Sequence, residues 1–204
     1  MAGSNNSTPS ARGREAVEAK LIDSTCTLLA STGPNALSIR DIASHAGVNH
    51  GQIHHYFGGK QGLITAAIKK LAREHEEHAR EGGLDEFEGP KHLTLGRDQN
   101  YVQAVIRSIL DDQLDLAILD IEDNTSVPRH IMKAITKLLG HRKPTTEIKG
   151  FMASQMAIEL AWAVFEPYIM AQIDAKPAEV AKIRQYVIDQ MEEQRDLLAK
   201  KAKK

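Results

Sequence analysis

Three histidines fall within six positions of the stretch AGVNHGQIHHYFGGK, Ala46 to Lys60: His50, His54 and His55. His50 and His54 stand four apart, a spacing that puts two imidazoles on one face of a helix and would let them share a metal ion. A metal site needs at least a third ligand and outer partners that orient the rings. The nearest acidic residue in sequence is Asp41, which has a different use described below. A second candidate is EHEEH, Glu74 to His78, where His75 and His78 stand three apart among carboxylates. We read it as a solvated helix face, with a weak metal site as the alternative. Cys26 is the only cysteine and lies between apolar neighbours. It reads as core, and a disulfide framework within one chain is excluded. No glycine-rich phosphate loop, nucleophile motif or plausible triad is present. No enzyme activity, metal or cofactor is therefore expected.

The elements that must position these histidines follow from composition and pattern. Of 204 residues, 42% are hydrophobic but only 4% aromatic, with Ala, Leu and Ile dominant. That mix favours an all-α fold. The net charge of -1 carries no global polycation signature. Between residues 36 and 70, however, Arg40, Lys60, Lys69 and Lys70 face Asp41 alone, and four of the nine histidines lie there. Val17, Leu21 and Leu28, with Ile22 and Leu29 beside them, predict a first helix stopped at Gly33 and Pro34. Two short helices and a longer one from about Lys60 to Arg80 follow. Residues 81–98, EGGLDEFEGPKHLTLGRD, form a break. Gln99 to about Ile121 reads as helical, in one or two pieces. Pro128, Pro144 and Pro177 each sit where a helix can open, because a first-turn proline lacks only a donor that would be orphaned anyway. The expected boundaries are a disordered arm at 1–13, a first helical domain at 14–60, a second helical domain at 61–199 and a solvated basic tail at 200–204. No apolar run approaches the roughly 20 residues needed to span a bilayer, so no membrane partner and a cytoplasmic location are expected.

In LSIRDIASHAGVNHGQIHHYFGGKQGL, Ser38 can cap a helix with Asp41 three positions on. Ile39, Ile42 and Ala43 face one side, and Gly47 supplies the left-handed residue that ends the helix. Val48 plugs the turn. Asn49 can cap the next helix, with Gln52 repeating the capping spacing, and Ile53 and Phe57 form its buried stripe. Two short helices meeting at such a turn are the logic of the helix-turn-helix, whose second helix enters the major groove.

Residues 14–70 resemble the DNA-binding domain of TetR-family transcriptional regulators. The resemblance is carried by a helix ending at Gly33, then LSIRDIA, AGV, IHHYF and Lys60 at the family's spacing. It implies that Asn49, His50, Gly51 and Gln52 meet bases and phosphates, with Gly51 where the backbone lies close to DNA. It implies backbone contacts for Tyr56, Lys60 and Ser38, and a reading position at His54, next to His55. Two departures stand out. His54 replaces a common Tyr, and Gly59 replaces a frequent capping Ser, a change expected to weaken the cap by only a few tenths of a kcal/mol, roughly. Protonation of the histidines as pH falls would add cations to the reading surface and strengthen DNA binding.

The rest of the chain shows only the family's general plan. Trp162, Phe165 and Ile169 follow helical spacing, with Met152, Met156 and Ala163 on the opposite flank. A helix apolar nearly all round is buried on more than one side. With Ile183, Val187, Met191 and Leu198 of the last helix it would build a dimer interface. Phe87, Met132, Phe151, Met152 and Met156 are candidates for an apolar ligand pocket, although each could be plain core. The expected function is a DNA-binding regulator, a repressor acting as a homodimer on a palindromic operator and released by a small-molecule effector. The alternatives are an activator or, from another class, a helical His-based metal-binding protein.

Overall fold

The computed structural model describes residues 11–83 and 94–201, and every element among them is helical. Ten α-helices run in chain order: α1 Ala11–Thr32, α2 Ile39–Ala46, α3 Gly51–Phe57, α4 Lys60–Glu81, α5 Gln99–Leu110, α6 Leu114–Ala117, α7 Leu119–Glu122, α8 Val127–Leu138, α9 Thr146–Gln172 and α10 Val180–Lys201. A 3-10 turn, Thr94–Arg97, precedes α5. Phe87, expected among the pocket residues, lies outside the described residues. The segment expected to be one or two helices after Gln99 is three: Asp112 takes a left-handed conformation (φ 59°) between α5 and α6, and Ile118 (φ -107°, ψ 14°) leaves the helical conformation between α6 and α7. The chain divides into two compact units. One comprises residues up to Leu71 together with Gln103–Leu119, and the other comprises Ala72–Val102 and Asp120–Lys204.

In the first unit, Leu21, Thr25 and Leu29 of α1 are fully buried at four-residue spacing. Ile42 of α2, Ile53 of α3, and Leu63, Ile64 and Ala67 of α4 are fully buried as well. Cys26 is core, its thiol 3.5 Å from the Ala67 carbonyl oxygen. Burying each of these aliphatic chains is worth about 1.5–3 kcal/mol, which is how helices of seven and eight residues hold their shape.

In the second unit, Ile135 of α8 packs with Ile148 and Met152 of α9 and Leu198 of α10, with Met132 and Phe151 partly buried against them. Helices α9 and α10 run antiparallel side by side. Gln155 donates to Gln194 at 3.0 Å, and Arg184 pairs with Glu166 nearer the connecting turn. Pro167 sits inside α9, where it removes one ladder hydrogen bond.

The EHEEH segment corrects our reading of a solvated face. His75 is buried, and Asp98, brought in from before α5, lies 2.6 Å from Nδ1 of both His75 and His78. Tyr101 stacks on His75, ring centroids 4.7 Å apart. Burial opposes charge on Asp98, but the hydrogen bonds from His75 and His78 outweigh it and hold the carboxyl below its usual range. Burial, with Asp120 and Asp98 nearby, pushes the Tyr101 phenol up. The partner was invisible to local pattern because it lies 20 or more residues downstream.

Candidate nucleic-acid interface

The helix pair at the heart of the first unit is held by its caps. The Ser38 hydroxyl accepts the Asp41 backbone N–H at 3.1 Å and donates to the Asp41 carboxylate, closing a reciprocal cap at the start of α2. Gly47 ends α2 in the left-handed region (φ 66°), donating to the carbonyls of Ala43 and Ser44. Val48 donates to Ala43, completing the tight turn. Asn49 Oδ1 accepts the Gly51 N–H at 2.8 Å. The side chain thus caps α3 from two residues back, while His50 occupies the last non-helical position without a side-chain bond.

This geometry buries Ile53 and turns Asn49, His50, Gly51, His54 and His55 outward, all exposed. Gln52, Tyr56, Lys60 and Ser38 are half-buried. The ring of Tyr56 lies 4.9 Å from that of His55, and the Arg14 guanidinium sits 5.4 Å from the Tyr56 ring centroid. Arg14, which local sequence offered no reason to choose, thereby joins α1 to the reading helix; it also pairs with Glu18 at 2.6 Å. Lys60 Nζ donates to the Asn35 carbonyl at 3.4 Å. Asn35 is itself held by Asp111, whose carboxylate accepts its N–H at 2.9 Å, and by the side chain of Gln113. The lysine that opens α4 is therefore positioned by the loop after α1 and the end of α5.

The two departures from the family pattern touch one another. Gly59 is buried with φ 124°, a conformation that an L side chain rarely adopts, and a Cβ there would lie 3.6 Å from His54 Nδ1. A serine at this position would strain the backbone as built, so Gly59 is more than a slightly weaker cap. Further along the chain, Gly62 permits a close approach: a Cβ would collide with the Phe57 carbonyl oxygen at the end of α3. Among the described residues, no group of three or more His, Cys, Asp or Glu residues comes together as a metal site.

The remaining predicted residues scatter. Met132, Phe151 and Met152 belong to the packed core of the second unit, whereas Met156 is 40% exposed. Trp162 is buried within the chain, its indole N–H without a partner. Phe165 is 55% exposed, and Ile169, Ile183, Val187 and Met191 are half-buried. Tyr168 and Tyr186, which the pattern did not single out, are more exposed than any of these.

Fold and site together define a helix-turn-helix protein. Residues 21–67 match the family model described as bacterial regulatory proteins, tetR family. The HTH-type transcriptional repressor Rv3405c of Mycobacterium tuberculosis is 44% identical over 59 residues, 29% of this chain and 31% of that protein. The HTH-type transcriptional regulator BetI of Vibrio atlanticus is 40% identical over 55 residues, 27% of this chain and 28% of its own length. These alignments span less than a third of each relative. In fold, the hemolysin II transcriptional regulator HlyIIR is similar over 85% of this chain and 97% of its own, with a TM-score of 0.55 at 19% identity. The family match thus covers residues 21–67, the segment that carries the helix-turn-helix, and the family it describes is one of bacterial regulatory proteins. No helix among the described residues is long and apolar enough to cross a membrane.

Proposed function

We propose that the protein is a repressor that binds a partly palindromic operator as a homodimer and is released by a small-molecule effector. One observation carries the reading: a seven-residue helix, capped at one end and turned sharply at the other, presents His50, Gly51, His54 and His55 to solvent while Ile53 anchors it. Its N-terminal residues reach base edges, and Tyr56 and Lys60 hold the phosphates that set register. Ser38 also contacts phosphate once its hydroxyl turns from Asp41. The exposed Phe165 and Tyr168 of α9 and Tyr186 of α10 support a partner surface, since side chains of this size are costly to leave in water. A two-fold dimer places its reading helices about 34–36 Å apart, in successive major grooves. The effector acts only through its different affinity for the DNA-competent and incompetent forms.

The test is a mobility-shift titration with palindromic sites from the promoter of the protein's own gene. Lys60→Ala should abolish the shift at concentrations where the parent saturates, and chelator should leave it unchanged. Loss of binding on chelation would instead favour a metal-dependent protein built on His50 and His54.

A further inference from the structure

We propose that a cationic groove along α8 and the turn after it binds a small organic phosphate of nucleotide size. The groove, of about 440 Å³, is lined by Arg129, Lys133, Lys137, His141 and Arg142, with Met132 and Pro144 as its apolar surface. That volume lies within the range of small-molecule sites. All five basic side chains are exposed. Residues 128–149 contain six Lys and Arg against a single acid, Glu147, in a chain whose net charge is -1. Among the described residues, no carboxylate reaches Arg129, Lys133, Lys137 or Arg142.

Helix energetics alone do not account for this arrangement. Basic groups near the C-terminus of α8, at Lys137, His141 and Arg142, complement its dipole. Arg129 is in the first turn, where a cation is unfavourable, and Lys133 sits one turn further on. The stripe of 129, 133 and 137 repeats every four residues, so its charges stand about 6 Å apart along the helix. The turn at Gly140, whose N–H donates to Lys137, is followed by the His141 N–H donating to Thr136. This folds His141 and Arg142 back beside the last turn of α8, and the cations converge instead of spreading. Crowding like charges without a counter-charge costs stability, and an anion relieves that cost. Guanidinium groups fork onto phosphoryl oxygens, and ammonium groups add point charges. Met132 and Pro144 offer contact to an uncharged portion such as a base or an acyl chain. A groove of this size seats a single small molecule and not a duplex.

The test is calorimetric titration of the full-length protein, without DNA, using ATP in EDTA, inorganic pyrophosphate and adenosine as probes. ATP and pyrophosphate should bind and adenosine should not, and raising NaCl from about 50 to 300 mM should weaken both. Lys133→Gln/Lys137→Gln should weaken ATP binding by about tenfold or more. Lys20→Gln/Lys182→Gln, outside the groove, should leave it unchanged. Neither probe binding at about 1 mM in low salt would overturn the proposal, as would equal weakening by both double variants, which marks diffuse charge attraction. Random-sequence duplex DNA that competes with ATP and loses affinity in Lys133→Gln/Lys137→Gln would overturn it in favour of a nucleic-acid surface. Because no operator is involved, failure here leaves the DNA-binding reading standing.

Discussion

The reading head and the α9–α10 pair solve opposite problems. The head turns on two short helices, α2 and α3, that could not persist alone, so it leaves none of its Leu, Ile and Val side chains exposed and caps each turn with a specific residue. The α9–α10 pair is built from helices of 27 and 22 residues, long enough to hold their own backbone, and leaves Phe165, Tyr168 and Tyr186 more than half exposed. In the first region the stability of the single chain and the function are inseparable. In the second, apolar surface is held back from the core and is available for a partner.

Matched truncations would break this comparison most directly. Ile53→Ala should destabilise the protein by about 2–5 kcal/mol in urea unfolding and remove operator binding. Phe165→Ala should change single-chain stability by within about 0.5 kcal/mol. If the two cost the same, the contrast fails.

Next in size is Gly62→Ala, which forces a methyl against the Phe57 carbonyl. A cost of about 1–3 kcal/mol is expected, with DNA affinity falling further than the stability loss explains, because the end of α3 must shift.

The second region has its own probe in Phe165→Ser/Tyr168→Ser. Sedimentation velocity should show the proposed homodimer weakened by about 100-fold or more, while helical content is kept. An unchanged association state would place the dimer surface elsewhere.

A smaller effect is expected at Asp98. Its carboxyl is held below the usual range by His75 and His78, so the charged form is favoured in the folded protein. That stability is present above the unfolded carboxyl's titration near pH 3.9, roughly, and is lost as pH falls through the folded value. Acid unfolding curves of the parent and of Asp98→Asn should therefore differ near neutrality and converge toward the acid limit. Parallel curves would deny the carboxylate its role.

The smallest effect concerns the reading surface itself. Operator affinity should rise a few-fold, roughly, as pH falls from about 8 to 6, and the rise should vanish in His50→Gln/His54→Gln. A flat profile in the parent would leave these side chains as shape only.

Legibility differed between the regions for a physical reason. Ser38, Asp41 and Gly47 act on partners within five residues, and their hydrogen bonds are found where their spacing placed them; Asn49 also acts locally, but on Gly51 and not Gln52, because His50 takes the N-cap position. His75, His78, Arg14 and Lys60 find their partners 20 to 42 residues away, at Asp98, Tyr56 and Asn35. No periodicity encodes such pairs. The same limit applied to Trp162, whose helical register alone could not distinguish an inward face from a partner face.

By itself, then, the sequence determined the helical class, the capped turn and the outward set of His50, His54 and His55, because caps, turns and helix stripes are short-range chemistry. Only the tertiary structure decided that His54 packs beside Gly59, that EHEEH is tied down by a buried carboxylate, and that the cations after Val127 converge on one groove. Those outcomes depend on which distant segments share space, and that is settled by packing the whole chain. The three histidines that first suggested a metal pair are, in the folded chain, the exposed edge of a helix whose remaining side chains hold it in place.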